Sequence, residues 1–196
     1  MKPVVLARGF AKNSLDKNPT IGHWLDFSVP HTVTLRVGKV DFGQGISTAL
    51  AQIAAEELEV ALHQIAHHPI NTQDSPDEGV TSGSFSIEHS GQAVRMACAT
   101  LKAMAIERFC AAQGTTPDTV TVHEGILRST QTSAAMSYWE LALDDLAGQT
   151  VRQDAPSKAP NALRYVGQPV PRRDLHKKLF GGPSFIQDLV IPGMLH

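Results

Sequence analysis

From residue 32 to 40 apolar and polar side chains alternate: Val33, Leu35 and Val37 share one face, Thr34 and Arg36 the other. A period of two marks a half-buried strand. Gly43-Gln44-Gly45 closes it, and the period then changes. Ile46, Leu50, Ile53, Ala54 and Leu58 recur at helical spacing, which predicts an amphipathic helix over 47–58 with Glu56, Glu57 and Glu59 on a solvated face. A short apolar stretch at 65–70 predicts a second strand. The polar run 71–86 is longer than most connections and reads as a functional loop. Ser86 stands where an N-cap belongs, with Glu88 in the first turn and Val94, Cys98, Leu101, Ala105 and Phe109 as the buried stripe of a second helix. Gly114 and Pro117 end that helix. Segments 119–123 and 126–128, joined by Glu124-Gly125, predict a tight hairpin, and 137–146 a short helix.

These elements make an α+β fold, an α/β two-layer arrangement in which a mixed sheet is packed by two main helices. We expect an amino-terminal arm at 1–19, the main lobe at 20–148, a linker at 149–175 rich in Gly, Pro and Ser, and the truncated start of a following domain at 176–196. Phe185-Ile186 and Leu189-Val190-Ile191 open an apolar pattern that stops at His196, so the chain is expected to be part of something longer, loosely held beyond residue 147.

Composition narrows the function classes. Of 196 residues 42% are hydrophobic and 18% charged, an ordinary globular balance that argues against disordered, collagenous or disulfide-scaffold proteins. Seventeen Lys and Arg against nineteen Asp and Glu give a net charge of -2, which provides no footprint for nucleic acid or an anionic membrane. No apolar run approaches the roughly 18–20 residues of a membrane span, and residues 1–10 have no signal core. Cys98 and Cys110 lie about 120° apart around one helix and cannot pair within it. A reducing, cytoplasmic location is therefore expected, or a periplasmic one if a partner carries the export signal.

Two loops carry candidate chemistry. Glycines between Gly38 and Gly45 let main chain approach a ligand, and the following helix start favours an anion; packing alone is the competing reading. The spacing imitates a P-loop, but Gln44-Gly45 stand where Lys-Ser/Thr is required. Thr81-Ser82-Gly83-Ser84-Phe85-Ser86 places four hydroxyls at a second helix start, as a polar pocket or as simple capping. His63, His67 and His68 read as solvent-exposed residues before a strand, and Ser47, Ser84 and Ser86 lack a nucleophile elbow.

Leu35-Arg-Val-Gly-Lys-Val-Asp-Phe-Gly-Gln-Gly45 with the helix that follows, and Ser75-Pro-Asp-Glu-Gly-Val-Thr-Ser-Gly-Ser-Phe-Ser86 with Gly91-Gln-Ala-Val94, resemble the molybdopterin-binding subunit of the xanthine dehydrogenase/aldehyde oxidase family. With Trp24 and Tyr165-Val-Gly-Gln-Pro-Val-Pro-Arg172, the chain is most similar to the amino-terminal portion of the isoquinoline oxidoreductase and nicotinate dehydrogenase type. The resemblance implies hydroxylation of N-heterocycles or aldehydes with water as oxygen source. It implies molybdopterin, as such or as the cytosine dinucleotide, with iron-sulfur clusters on a partner. Gln44 would approach the metal's oxo ligand, and Gly45, Thr81, Ser84 and Ser86 would bind the pterin and its phosphate. Gly43, Ile46, Ser47 and Phe85 complete the cofactor-binding set, and no catalytic residue or metal ligand falls in this chain. The following segment would open a hammerhead-like domain. The expected partners are the remainder of the molybdenum subunit, an iron-sulfur subunit and a small heterocycle or aldehyde substrate, with no nucleic acid or membrane. The family's glutamate base lies beyond residue 196, so the chain alone is expected to be inactive. A non-catalytic assembly or binding subunit that docks a larger chain is the alternative. If both loops serve one cofactor, they should lie side by side, within about 10–15 Å.

Overall fold

The structure, a computed structural model, describes residues 12–141, 143–155, 158–183 and 185–195. Residues 1–11 of the expected arm lie outside the described residues. A short helix α1 (Lys12–Lys17) precedes strands β1 (Leu25–Asp26) and β2 (Val33–Leu35), which pair antiparallel. Helix α2 (Ile46–Leu58) then carries the chain to β3 (Ile65–His67), which lies parallel to β2. A π-helical turn (Ser86–Gly91) leads into the long helix α3 (Gln92–Gln113), which Gly114 ends in the left-handed conformation. Strands β4 (Val120–His123), β5 (Ile126–Ser129) and β6 (Ala135–Ser137) form a second, antiparallel sheet. Short α4 (Leu175–Leu179) lies near the far end. This is an α+β fold with one mixed and one antiparallel sheet.

One core joins the two halves. Leu50, Ala54 and Leu58 of α2 and Ala97, Leu101 and Phe109 of α3 are buried with Trp24, Val33, Leu35, Ile65, Leu127 and Tyr138. The small residues of α2 let α3 approach closely, and the Tyr138 hydroxyl donates to the Leu58 carbonyl at the end of α2 (2.9 Å). The Glu124-Gly125 turn has positive φ at both positions, 50° and 75°, the conformation that matches strand twist in a two-residue hairpin.

Several expectations need correction. The alternation at 32–40 does continue in burial, with Val33, Leu35, Val37 and Lys39 inside, but the ladder stops at Leu35. Beyond it the extended chain faces a loop instead of a strand. Ser86 is not an N-cap, because a π-helical turn begins there with Phe85 before it and no capping bond from either side chain. Residues 137–146 do not form a helix; β6 ends at Ser137 and a 3₁₀ turn runs Leu143–Gly148.

Glu56 and Glu57 are not solvated but 2% and 6% exposed. Glu56 Oε2 accepts the main-chain N–H groups of Arg164 (2.7 Å), Tyr165 (2.7 Å) and Val166 (3.3 Å), while Lys158 Nζ lies 3.1 Å from Oε1. Burial pushes this carboxyl up, but those hydrogen bonds outweigh it and hold its pKa below the usual range. Burial pushes the Glu57 carboxyl up against the nearby Arg95 and Lys102 charges. The stretch that reads as a linker is thereby fastened along α2, helped by Gln52 donating to the Tyr165 carbonyl (2.7 Å) and by Thr48 Oγ1 accepting the Arg173 N–H (3.1 Å). Farther on, Leu179, Phe180, Ile186 and Val190 are exposed.

Candidate functional site

The turn before α2 is shaped by Asp41. Its carboxylate accepts the Gly43 N–H (2.9 Å) and the Ser47 hydroxyl (3.1 Å), spanning the turn that leads into the helix. Burial pushes that carboxyl up, yet the two hydrogen bonds and the Lys178 ammonium prevail and keep its pKa low. Gly45 takes the N-cap position at φ 76° with no side chain capping the helix start. No side chain caps the main-chain donors of the first turn at the positive end of α2, and the Arg172 guanidinium lies against Gly45. Ile46 is buried and anchors the turn to the core. Gln44 is exposed, and its amide is folded back on its own loop: Nε2 donates to the Val40 carbonyl (2.9 Å) and Oε1 accepts the Phe42 N–H (2.8 Å).

Arg172 borders this turn, donating from Nη1 to the Gly43 carbonyl (3.0 Å) while its guanidinium pairs with Asp174. Asp174 is held well below the ordinary carboxylate range by Arg172 first and Lys178 second. On the inner side, His67 Nε2–H donates to the Ser47 carbonyl (2.7 Å). Since a carbonyl only accepts, this fixes the tautomer. Burial lowers the His67 pKa, opposed by that hydrogen bond.

In the second loop Gly83 and Ser84 are both left-handed, with φ 65° and 62°. A serine held there is uncommon and strained. The ring of Phe85 stacks on His89, centroids 4.4 Å apart and 10° from parallel. Among the described residues no hydrogen bond occupies the hydroxyls of Ser84 and Ser86. π-Helical turns such as the one that begins at Ser86 occur often at functional sites.

The two loops meet. Val40 N–H donates to Thr81 Oγ1 (2.9 Å), and the carbonyl of the same Val40 accepts from Gln44, so one residue is held by both loops. Behind this contact Gly38 N–H donates to Glu78 Oε2 (2.8 Å), and Lys39 Nζ donates to the carbonyls of Glu78 (2.7 Å) and Val80 (3.0 Å). Gly38 has to be glycine, since a Cβ there would lie 2.2 Å from the Pro76 carbonyl oxygen. The two loops expected to adjoin do so at Val40 and Thr81, while the residues that join them behind this contact, Lys39 and Glu78, and those that brace the turn before α2, Asp41 and His67, were missed. The only local signal for Lys39 was its place in the buried phase of the 33–39 alternation.

A turn rich in main-chain and hydroxyl donors at two adjacent helix starts suits an anionic, amide-bearing ligand such as a pterin phosphate. Among the described residues no group of three or more His, Cys, Asp or Glu gathers to hold a bare metal ion.

Residues 4–168 match the molybdopterin cofactor-binding domain family, and the chain belongs to that family. It is similar to a nicotinate dehydrogenase subunit from Pseudomonas putida, 32% identical over 159 residues, 81% of this chain and 13% of that one. It is also similar to the aldehyde oxidoreductase molybdenum-binding subunit PaoC of Escherichia coli O157:H7, 34% identical over 99 residues, 50% of this chain and 13% of the relative. Among solved structures, reconstituted CO dehydrogenase from Oligotropha carboxidovorans aligns with a TM-score of 0.50 and 28% identity, covering 57% of this chain and 14% of that one. The chain thus spans 13–14% of the length of these relatives. Among the described residues no helix is long and apolar enough to cross a membrane.

Proposed function

We propose that this chain is the molybdopterin-binding lobe of a molybdenum hydroxylase that oxidises N-heterocycles or aldehydes, working with the remainder of a molybdenum subunit and with an iron-sulfur chain. The observation that carries the reading is the shared hold on Val40, which brings the Gln44 turn and the Thr81 loop to one edge as a single ligand would require. When bound, the cofactor supplies the redox chemistry that adds a water-derived oxygen to the substrate. In this reading the chain binds and orients. The open start of α2 at Gly45 and Ile46 attracts the anionic end of the pterin, with Gly43 and Ser47 shaping the turn. Thr81, Ser84 and Ser86 supply hydroxyls, and Phe85 lends an apolar wall. Gln44 is exposed, so its amide can exchange its two bonds within the loop for one to the metal's oxo ligand. The cytosine dinucleotide form of the cofactor and a cytoplasmic location belong to the same proposal, the latter in keeping with free, buried Cys98 and Cys110.

The test is pterin retention. In the assembled enzyme Ser84→Ala should weaken molybdopterin binding by about 1.5–3 kcal/mol, the worth of one hydrogen bond to a charged group. Gln44→Ala should slow turnover with little loss of stability. The chain alone should give no dye-linked turnover above buffer. Unaltered pterin content and turnover in both variants would place the cofactor elsewhere.

A further inference from the structure

We infer that Lys39 is the positioning residue of this site: its buried ammonium sets the 78–86 loop against the 38–45 turn, and so fixes the spacing between Gln44 and the Thr81–Ser84–Ser86 hydroxyls. The inference rests on the cofactor reading above for its consequence, not for its geometry.

Lys39 is 3% exposed, an unusual place for an ammonium group. Among the described residues no carboxylate pairs with it. Its partners are two neutral carbonyls, those of Glu78 and Val80 on the opposite loop. Glu78 reaches the other way, its carboxylate accepting Gly38 N–H (2.8 Å) together with the hydroxyls of Ser14 (3.0 Å) and Ser90 (3.0 Å). Each of the two side chains thus grips the main chain of the opposite segment. No main-chain to main-chain hydrogen bond joins the two segments among the described residues. In a sheet the ladder would hold register whatever the side chains; here, among the described residues, the hydrogen bonds between the two segments are made by Lys39, Glu78 and Thr81 side chains. The two acceptors of Lys39 also bracket Gly79, which sits at φ 63°, so a single ammonium pins both sides of the bend that delivers Val80 and Thr81 to Val40. Replacing that ammonium with an apolar side chain leaves two carbonyls without their donor and frees the bend.

The experiment compares Lys39→Met, similar in length but without a donor, and Lys39→Arg, which keeps the charge and donors. Val122→Ala in the β4–β5 hairpin serves as a control for general loss of stability. Amide hydrogen exchange is read on the cofactor-free chain, and loss of molybdopterin is followed in the assembled enzyme by released pterin fluorescence. Lys39→Met should speed exchange at the Gly38, Val40 and Gly79 amides, which donate to Glu78, Thr81 and Asp77, by about tenfold or more relative to α3 amides, the scale of a lost charge-assisted hydrogen bond, and should hasten pterin loss. Lys39→Arg should restore both in large part, and Val122→Ala should change neither. Unchanged exchange at the Gly38, Val40 and Gly79 amides in Lys39→Met would overturn the positioning role. Faster exchange, restored by arginine, with pterin loss unaltered supports the positioning role and overturns the cofactor reading of the loop. If Lys39→Met does not fold, Lys39→Gln, with a shorter neutral donor, is read in the same way.

Discussion

Replacing Glu56 with glutamine tests how the 158–166 segment is held. The change conserves volume, but the carboxylate that receives three main-chain N–H groups and the Lys158 ammonium becomes an amide with one acceptor oxygen and an NH₂ group. The amide oxygen can serve either the three N–H groups or the Lys158 ammonium, so its NH₂ group faces donors in either orientation, and Lys158, only 17% exposed at its side chain, loses its closest carboxylate partner. Removing one member of a buried charge pair costs about 3–5 kcal/mol, and a single hydrogen bond to a charged group about 1.5–3 kcal/mol. The segment can relieve part of the cost by detaching, so we expect a loss of about 3 kcal/mol in urea unfolding, a large share of a typical domain's 5–15 kcal/mol. Detachment has its own signature, faster exchange at the amides of Arg164, Tyr165 and Val166. The pH dependence has a definite sign. Because the folded pKa of Glu56 lies below its ordinary value of 4.5, its contribution is present above that pH and is lost as pH falls through the folded value. The glutamine variant should lack this acid limb. A loss below about 1 kcal/mol with the three amides still protected would refute the reasoning.

Three further outcomes follow from the same geometry. His67 has a folded pKa below 6.5, so the unfolded chain takes up the proton first and stability should fall as pH drops below about 6.5; His67→Gln should flatten that slope in pH-dependent denaturation. Gly38→Ala pushes a methyl to within 2.2 Å of the Pro76 carbonyl oxygen, while Asn18 still holds Asp77 by both main-chain groups. Thermal and urea unfolding should show a loss of about 1–3 kcal/mol or more, with amide shifts centred on 76–81. Leu127→Ala empties a fully buried position of β5 in the core and should cost about 2–5 kcal/mol without altering pterin content.

What could be read in advance was what depends on neighbours in sequence. The apolar stripes of α2 and α3, the Gly114 stop and the Glu124-Gly125 hairpin are local patterns, and each element formed. The 33–39 alternation correctly gave burial but overstated the ladder, because alternation reports which face is inside and not what lies alongside. The acidic run in α2 looked solvated since the partners of Glu56, main-chain amides at 164–166, lie more than a hundred positions away and carry no side-chain signal. Lys39 escaped for the same reason, its acceptors being carbonyls. Ser86 looked like a cap because a serine before an amphipathic stripe usually is one; the π-helical turn has no such composition mark. For the proposed site, the glycine and hydroxyl motifs and their family resemblance pointed to the two loops, while their joining through Val40 required three dimensions.

The central claim is that molybdopterin lies across the edge formed by the Gln44 turn and the Thr81–Ser86 loop. Amide hydrogen exchange compared between the molybdopterin-loaded and cofactor-free protein tests it most directly. Slowed exchange is expected at 43–48 and 80–87, with the β4–β5–β6 sheet unchanged. Protection confined to other segments, or none at either loop in a protein shown to hold pterin, would contradict it.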